Sequence, residues 1–275
     1  MLQKIFKTKT PIIGMVHFPP LLGYRGFPGI DACLRKSLAD AKMLQQGGVD
    51  AIIMENNYDV PHHEFVGPET VAAMTLLINI IMKSVSVPIG VNVLWNDYRS
   101  AFSIAKVCGA KFIRVPVFVD SVETDYGKIM ANPEKVLAFR KEIKADDVAI
   151  FADIQVKHAQ MLNKRSLAES AKEAVQKGAD AIIITGKWTG DAPNTLDLEQ
   201  ARLAAGSKFP IFAGSGADKN NARKLLQYVN GIIIGTCLKT GKIRSREREV
   251  NLKAWEEKIS LKKTREFMEK VKHTR

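Results

Sequence analysis

Cysteine is scarce in this chain. There are three in 275 residues, Cys33, Cys108 and Cys237, far apart and odd in number. That spacing provides neither a disulfide framework nor a zinc-ligand cluster, so the three read as reduced thiols in a cytoplasmic protein. Long apolar runs are also lacking. The longest, Val71–Met82, is broken by Thr75 and Asn79 and falls short of the ~20 residues a membrane span needs. It reads as a buried helix, and an integral membrane protein is not expected. Residues Met1–Pro11 are polar and basic, without the apolar core of a secretory signal. No G-x-G-x-x-G turn follows the first strand pattern, which removes the dinucleotide-binding fingerprint. No H-x-H pair follows it either, which removes the spacing of a binuclear hydrolase site. A nucleic-acid-binding motif is absent despite a net charge of +12. Half of that charge lies in Lys242–Arg275, where 12 Lys/Arg alternate with 6 Asp/Glu. Such mixing marks a solvated helix face, so nucleic acid is not an expected partner. Peripheral contact with an anionic membrane surface stays open.

What is present is a regular alternation. Eight short apolar runs recur: Pro11–Val16, Asp50–Glu55, Pro88–Leu94, Phe112–Val117, Val148–Asp153, Asp180–Thr185, Pro210–Gly214 and Gly231–Gly235. Most are continuous rather than alternating, the pattern of strands covered on both faces. Between them lie helical patterns at Asp31–Gln46, Pro68–Lys83, Asp97–Gly109, Pro133–Lys144, Ser166–Lys177, Leu196–Ala205, Asp218–Tyr228 and Glu247–Lys272. Gly47-Gly48-Val49-Asp50-Ala51-Ile52-Ile53 recurs as Lys177-Gly178-Ala179-Asp180-Ala181-Ile182-Ile183. Eight repeated βα units over this length predict one domain, residues 1–275: a single (β/α)₈ TIM barrel, a parallel eight-stranded barrel with outer helices. A doubly wound open sheet is the alternative. The apolar helix at Pro68–Lys83 also fits a homo-oligomer contact, although burial in the outer ring explains it equally well.

In a barrel the chemistry sits at the C-terminal ends of the strands, and polar residues gather there. His17 follows the first run, Glu55 ends the second, Asn92 lies in the third with Asn96 and Asp97 just beyond, and Arg114 lies in the fourth. Asp153 ends the fifth, with Lys157 and His158 after it. Thr185 ends the sixth, and Thr189 follows. Gly214-Ser215-Gly216 follows the seventh and Gly235-Thr236 the eighth. Glycines at these last two ends let backbone N–H groups approach an anion, and a helix N-terminus adds favourable charge. A phosphate site at Gly214, Ser215, Gly216, Gly235 and Thr236 is therefore expected.

His17, Glu55, Asp153, Lys157 and His158 are the catalytic candidates. The carboxylates suit general acid–base work, Lys157 suits a Schiff base or an anion contact, and His158 suits a proton shuttle. Asn92, Asn96, Asp97, Arg114, Thr185 and Thr189 are the substrate-binding candidates. Helix capping is the other reading of Asn96 and Asp97, and an ion pair that of Arg114. His17 with the carboxylates is also the candidate set for a divalent ion such as Mg²⁺. His62 and His63, adjacent in a loop, are expected to face solvent. The long loop Phe118–Asn132 is expected either to close as a lid or to pack as a static excursion.

Together, several of these segments resemble the BtpA (BtpA/SgcQ) family. The resemblance is carried by GMVHFPPLLG (Gly14–Gly23), MENNYD (Met54–Asp59), GVNVLWND (Gly90–Asp97), FIRVPV (Phe112–Val117), DIQVKHA (Asp153–Ala159), TGKWTG (Thr185–Gly190), GSG (Gly214–Gly216) and GTCLKTG (Gly235–Gly241). It implies a ribulose-phosphate-binding type of barrel and supplies no settled reaction. The family takes its name from a role in accumulating photosystem I complexes. Pro116 and Leu22 depart from the pattern, where asparagine and proline are expected.

Three readings follow. The first is an enzyme acting on a small phosphorylated metabolite, a sugar phosphate or a nucleotide, by isomerisation, aldol-type cleavage or phosphate-ester hydrolysis. The second is an assembly factor for a membrane complex. The third is a barrel holding the phosphate of FMN on the same glycines.

Overall fold

The computed structural model describes residues 2–243 and 250–272. In chain order the strands are β1 (Ile12–His17), β2 (Ala51–Glu55), β3 (Ile89–Asn92), β4 (Phe112–Val115), β5 (Val122–Thr124), β6 (Gly127–Ile129), β7 (Ala149–Ile154), β8 (Ala159–Met161), β9 (Ala181–Ile184), β10 (Ile211–Ala213) and β11 (Gly231–Ile234). The helices are α1 (Leu2–Ile5), α2 (Ile30–Gly47), α3 (Pro68–Met82), α4 (Tyr98–Cys108), α5 (Pro133–Glu142), α6 (Leu167–Gln176), α7 (Thr195–Ala205), α8 (Ala222–Leu225) and α9 (Leu261–Val271). The eight expected strands close into a parallel barrel in the order β1-β2-β3-β4-β7-β9-β10-β11, with β11 returning to β1.

The repeated glycine–aspartate phrase has a physical role at the N-terminal end of this barrel. Asp50 accepts the Ile12 N–H at 2.7 Å through its side chain, and Asp180 accepts that of Ile150 at 2.8 Å. Asn230 does the same for Ile211 at 2.9 Å. Each polar side chain satisfies a strand-start donor that would otherwise be left unpaired.

Alternate residues of each strand point into the barrel. Met15, Ile53, Phe112, Phe151, Ile183, Phe212 and Ile233 form an interior layer. The Phe112 and Phe151 rings stack at 4.6 Å, and Phe151 lies 5.0 Å from Phe212. A Cβ at Gly90 would collide with the Phe112 ring, so the glycine makes room for it. Below them Phe6 closes the floor, with its ring 6.0–6.3 Å from all three phenylalanines. This plug, carried by α1, lies in the segment that reads from sequence as merely polar and basic.

A second, larger core lies between the strands and the helices. The apolar helix α3 is buried within the chain: Met74, Leu77, Ile78 and Ile81 belong to that core, and its neighbours are α2 and α4. Among the described residues no helix is long and apolar enough to cross a membrane.

Three elements differ from expectation. Residues 118–132 are not an open loop: β5 and β6 form a hairpin that pairs with β8, and Val117, Val122, Ile129, Val156 and Trp95 pack together beneath it. The seventh helix shrinks to the single turn of α8. Asp218 accepts the N–H groups of Asn220 and Asn221, and Asn221 accepts that of Asp218. Such side chains compete with helical bonding. The eighth helix begins at Leu261. Ahead of it, residues 258–260 pair with 238–240 by backbone bonds and residues 250–253 run along the barrel mouth. Residues 247–249 of that expected helix lie outside the described residues.

Candidate active site

The interior parity that yields hydrophobic layers lower down yields polar ones at the C-terminal rim. One step above Met15, Ile53 and Gly90 come His17, Glu55 and Asn92, in register with one another. One step above Phe112 and Phe151 come Arg114 and Asp153. The same parity leads to Thr185, Gly214 and Gly235 just past the last three strands. The barrel therefore ends in a ring of polar side chains and glycines.

Above this ring is a cavity of about 610 Å³. His17, Glu55, Arg114, Lys157 and Thr189 line one side, and Gly214, Ser215, Gly216, Gly235 and Thr236 line the other. Arg114 is the anchor. It grips Asp153 bidentately, Nε to Oδ1 at 2.8 Å and Nη2 to Oδ2 at 2.7 Å, and its Nη1 lies 3.6 Å from Glu55. Burial opposes the guanidinium charge, but Asp153 and Glu55 outweigh it and raise its pKa. Asp153 is thereby sequestered beneath the cavity floor. Glu55 is the carboxylate of this cluster that faces the cavity, which Asp191 and Asp218 also line. It accepts Asn92 Nδ2 at 2.5 Å and lies 3.5 Å from His17 Nε2.

Two lysines reach this cluster without an ion-pair partner among the described residues. Lys157 Nζ donates to the Thr189 hydroxyl at 3.1 Å. Burial, reinforced by Arg114, lowers its pKa to about 8. Lys239 is 1% exposed. Its Nζ lies 3.2 Å from His17 Nδ1, donates to the Tyr58 hydroxyl at 3.1 Å and sits over the Tyr58 ring. Burial, reinforced by Lys36, lowers its pKa to about 7. His17 is driven well below its ordinary value by burial and then by Lys239. Two lysines whose pKa values are lowered by burial thus stand beside glycine-rich loops, and a bound anion would favour their charged forms.

His158 takes part differently. Its residue adopts φ +60°, and its Nε2 accepts the Thr189 N–H at 3.2 Å. Burial, then Lys157, lowers its pKa to about 4. Nε2 is thus an acceptor, and His158 holds the Thr189 loop over Lys157. Thr185 accepts the Lys157 N–H at 3.2 Å.

Asn96 and Asp97 are not in the cavity. Asn96 exchanges two hydrogen bonds with the Val117 backbone. Asp97 caps α4, accepting Ser100 N–H at 2.9 Å, and also takes the Val66 N–H at 3.0 Å. The expected helix dipole after the seventh barrel strand is also missing, because α8 is one turn. Among the described residues no group of three His, Cys, Asp or Glu converges as a metal site.

Lys239 and Tyr58 escaped the sequence reading although both lie in the quoted segments, and Asn57, a polar residue just past the end of the second strand, was not among the site candidates. The available signal for Lys239 was a lysine five residues past the last strand of a barrel. Asn57 is bridged to Asn251 by two hydrogen bonds, one of them from Asn251 Nδ2 to Asn57 O at 3.0 Å. That contact brings residues 250–253 over the cavity and could not be read from local sequence.

The fold and this rim define a (β/α)₈ barrel with a polar, lysine- and arginine-lined cavity at its C-terminal face. The chain belongs to the BtpA family, whose model matches residues 8–273. It is 42% identical over 241 residues to the photosystem I biogenesis protein BtpA of Synechocystis, covering 86% of this chain and 83% of that one. It is 35% identical over 270 residues to an uncharacterized protein of Thermococcus kodakarensis, covering 97% of each. Among solved structures, thiamine phosphate pyrophosphorylase from Pyrococcus furiosus superposes with a TM-score of 0.58 at 17% identity, covering 97% of this chain and 98% of that one. Phosphoribosyl anthranilate isomerase from Thermus thermophilus gives 0.58 at 11% identity, covering 96% and 100%. At such identities the likeness concerns the fold.

Proposed function

We propose that this protein is an enzyme acting on a small phosphorylated metabolite by proton-transfer chemistry at the C-terminal face of the barrel. The observation that carries this reading is the pair Lys157, partly buried, and Lys239, buried, which have no ion-pair partner among the described residues and face the same cavity as the Gly214–Gly216 and Gly235 loops. A bound phosphate supplies the missing negative charge. Glu55, fixed by Asn92 and Arg114 and facing His17, is the group placed to take and return a proton. Arg114 and Asp153 position it. Solved barrels of this fold whose names refer to phosphorylated compounds support the reading by analogy.

A thermal-shift screen against inorganic phosphate, sugar phosphates and nucleotides tests it. A compound at about 100 times its Kd adds ~2.7 kcal/mol, a rise of roughly 5–10 °C for a chain of this size. Lys157→Met and Lys239→Met are expected to abolish the rise. No response from a broad phosphorylated panel refutes the proposal.

The name of the Synechocystis relative favours a second reading, assembly of a membrane complex. Reversing the charge of Lys262, Arg265 and Lys270 on the exposed face of α9 is its test. Unchanged co-sedimentation with membranes counts against it.

A further inference from the structure

The cavity has a narrow extension on the side away from the glycine loops. It is a recess of about 50 Å³ walled by Leu94, Trp95, Pro116 and Val156, with His62 and His158 at its edge. Glu55, Arg114, Lys157 and Thr189 line both spaces, so the recess opens from the main cavity.

His62 is the anomaly there. It is 3% exposed, and neither ring nitrogen has a hydrogen-bond partner among the described residues. Its ring meets the Tyr126 ring edge-on at 5.3 Å. Buried polar groups in folded proteins are paired as a rule, and an exception calls for an explanation. The loop around it is tied down. Trp95 N–H donates to His63 O at 2.8 Å, Asn96 N–H donates to Glu64 O at 3.3 Å, and Val66 N–H donates to Asp97. The imidazole is thus presented to the recess by a built support, and the Asn96–Asp97 corner is part of that support.

The chemistry of its ligand follows from size and charge. Burial, reinforced by His63, lowers the His62 pKa to about 4. The ring is therefore neutral near pH 7, with one donor and one acceptor. An ionic group is not its match, whereas a hydroxyl, which both donates and accepts, is. A cavity that holds one water has about 10–15 Å³ and one that binds benzene about 150 Å³. The recess admits a hydroxyl-bearing carbon and is too small for a nucleobase.

We propose that His62 recognises a hydroxyl at the uncharged end of the substrate, which makes that substrate a polyhydroxylated, sugar-type phosphate rather than a nucleotide. The second half of this inference rests on the phosphate reading above; the role of His62 does not.

Calorimetric titration separates the two. The probes are inorganic phosphate, ribitol, ribose 5-phosphate, glucose 6-phosphate and AMP, each against wild type, His62→Phe and His62→Gln. His62→Phe keeps a ring and removes both nitrogens, and a thermal midpoint at or above that of wild type verifies folding. The expected result is about ten-fold weaker binding of ribitol and of at least one sugar phosphate to His62→Phe, the worth of one hydrogen bond. Partial recovery in His62→Gln and unchanged affinity for inorganic phosphate complete the pattern. Equal binding of the polyols to wild type and His62→Phe overturns the proposal, as does no polyol binding to wild type at all. AMP losing as much as the sugar phosphates also overturns it. His62-dependent ribitol binding without any phosphate binding sinks the phosphate reading and leaves the role of His62 standing.

Discussion

Replacing Lys239 by methionine removes a buried charge while keeping most of the side-chain volume, and its consequence for stability has a definite pH signature. A lysine has a pKa near 10.5 in the unfolded chain, and burial lowers that of Lys239 to about 7. Between those two values the unfolded chain binds more protons than the folded one, so stability rises with pH there. Working the linkage through, holding this ammonium in place costs the fold on the order of 4–5 kcal/mol at pH ~6 and about 2 kcal/mol at pH ~9. Lys239→Met escapes that cost. The variant is expected to be more stable than wild type at the acid end, with the gap narrowing by about 2–3 kcal/mol, or roughly 5–10 °C, by pH ~9. Thermal unfolding of both proteins across that range, without ligand, is the assay. Lys157 titrates in the wild type and in the variant alike, and His17, whose pKa Lys239 lowers, adds to the difference at the acid end, so the comparison between pH ~7 and ~9 isolates Lys239. Parallel curves refute the reasoning: Lys239 would then keep its ordinary pKa, and the cavity would lack the burial-shifted lysine on which the anion site depends.

Other perturbations follow from the same structure. Arg114→Met leaves Asp153 and Glu55 buried without their cation and is expected to cost about 3–5 kcal/mol, read from the urea midpoint. Phe6→Ala empties the floor of the barrel and is expected to cost roughly 3–5 kcal/mol; a loss below about 1 kcal/mol would show that the plug contributes little. Gly216 has φ +60°, and a Cβ there would meet the Asp191–Ala192 peptide. Gly216→Val is therefore expected to displace the 189–192 loop and weaken inorganic-phosphate binding, measured by titration, while far-ultraviolet circular dichroism stays unchanged.

The barrel was legible in the sequence because its signal is local and repeated. Eight apolar runs, glycine helix stops and a recurring Gly-x-Asp turn each report a short-range preference, and all agree. Much of the rim was legible for the same reason: strand ends identify themselves, and His17, Glu55, Arg114, Lys157 and the glycines are found along one cavity. What escaped depends on contacts distant in sequence. The Phe6 plug needs three phenylalanines from three strands. The brevity of α8 depends on side chains of Asp218 and Asn221 outbidding the helix for backbone groups. Asn57 and Asn251 meet across 194 residues.

The two adjacent histidines show how such a contact decides chemistry. In an extended segment neighbouring side chains point to opposite faces, so a His-His pair beside a barrel mouth offers one ring to each side. Local sequence treats both as loop residues, and the expectation of two solvent-facing rings fails for His62 while holding for His63, which is exposed. The choice is made by backbone pairing of residues 63–64 with 95–96 and by the Asp97 carboxylate gripping Val66. Asn96 and Asp97, read from sequence as groups for substrate hydroxyls, thus act one step removed: they hold the loop that aims His62 at the recess. If that account is right, Asp97→Ala weakens ribitol binding alongside the loss of the α4 cap, whereas Ser100→Ala, which removes another Asp97 contact on the helix side alone, leaves it unchanged.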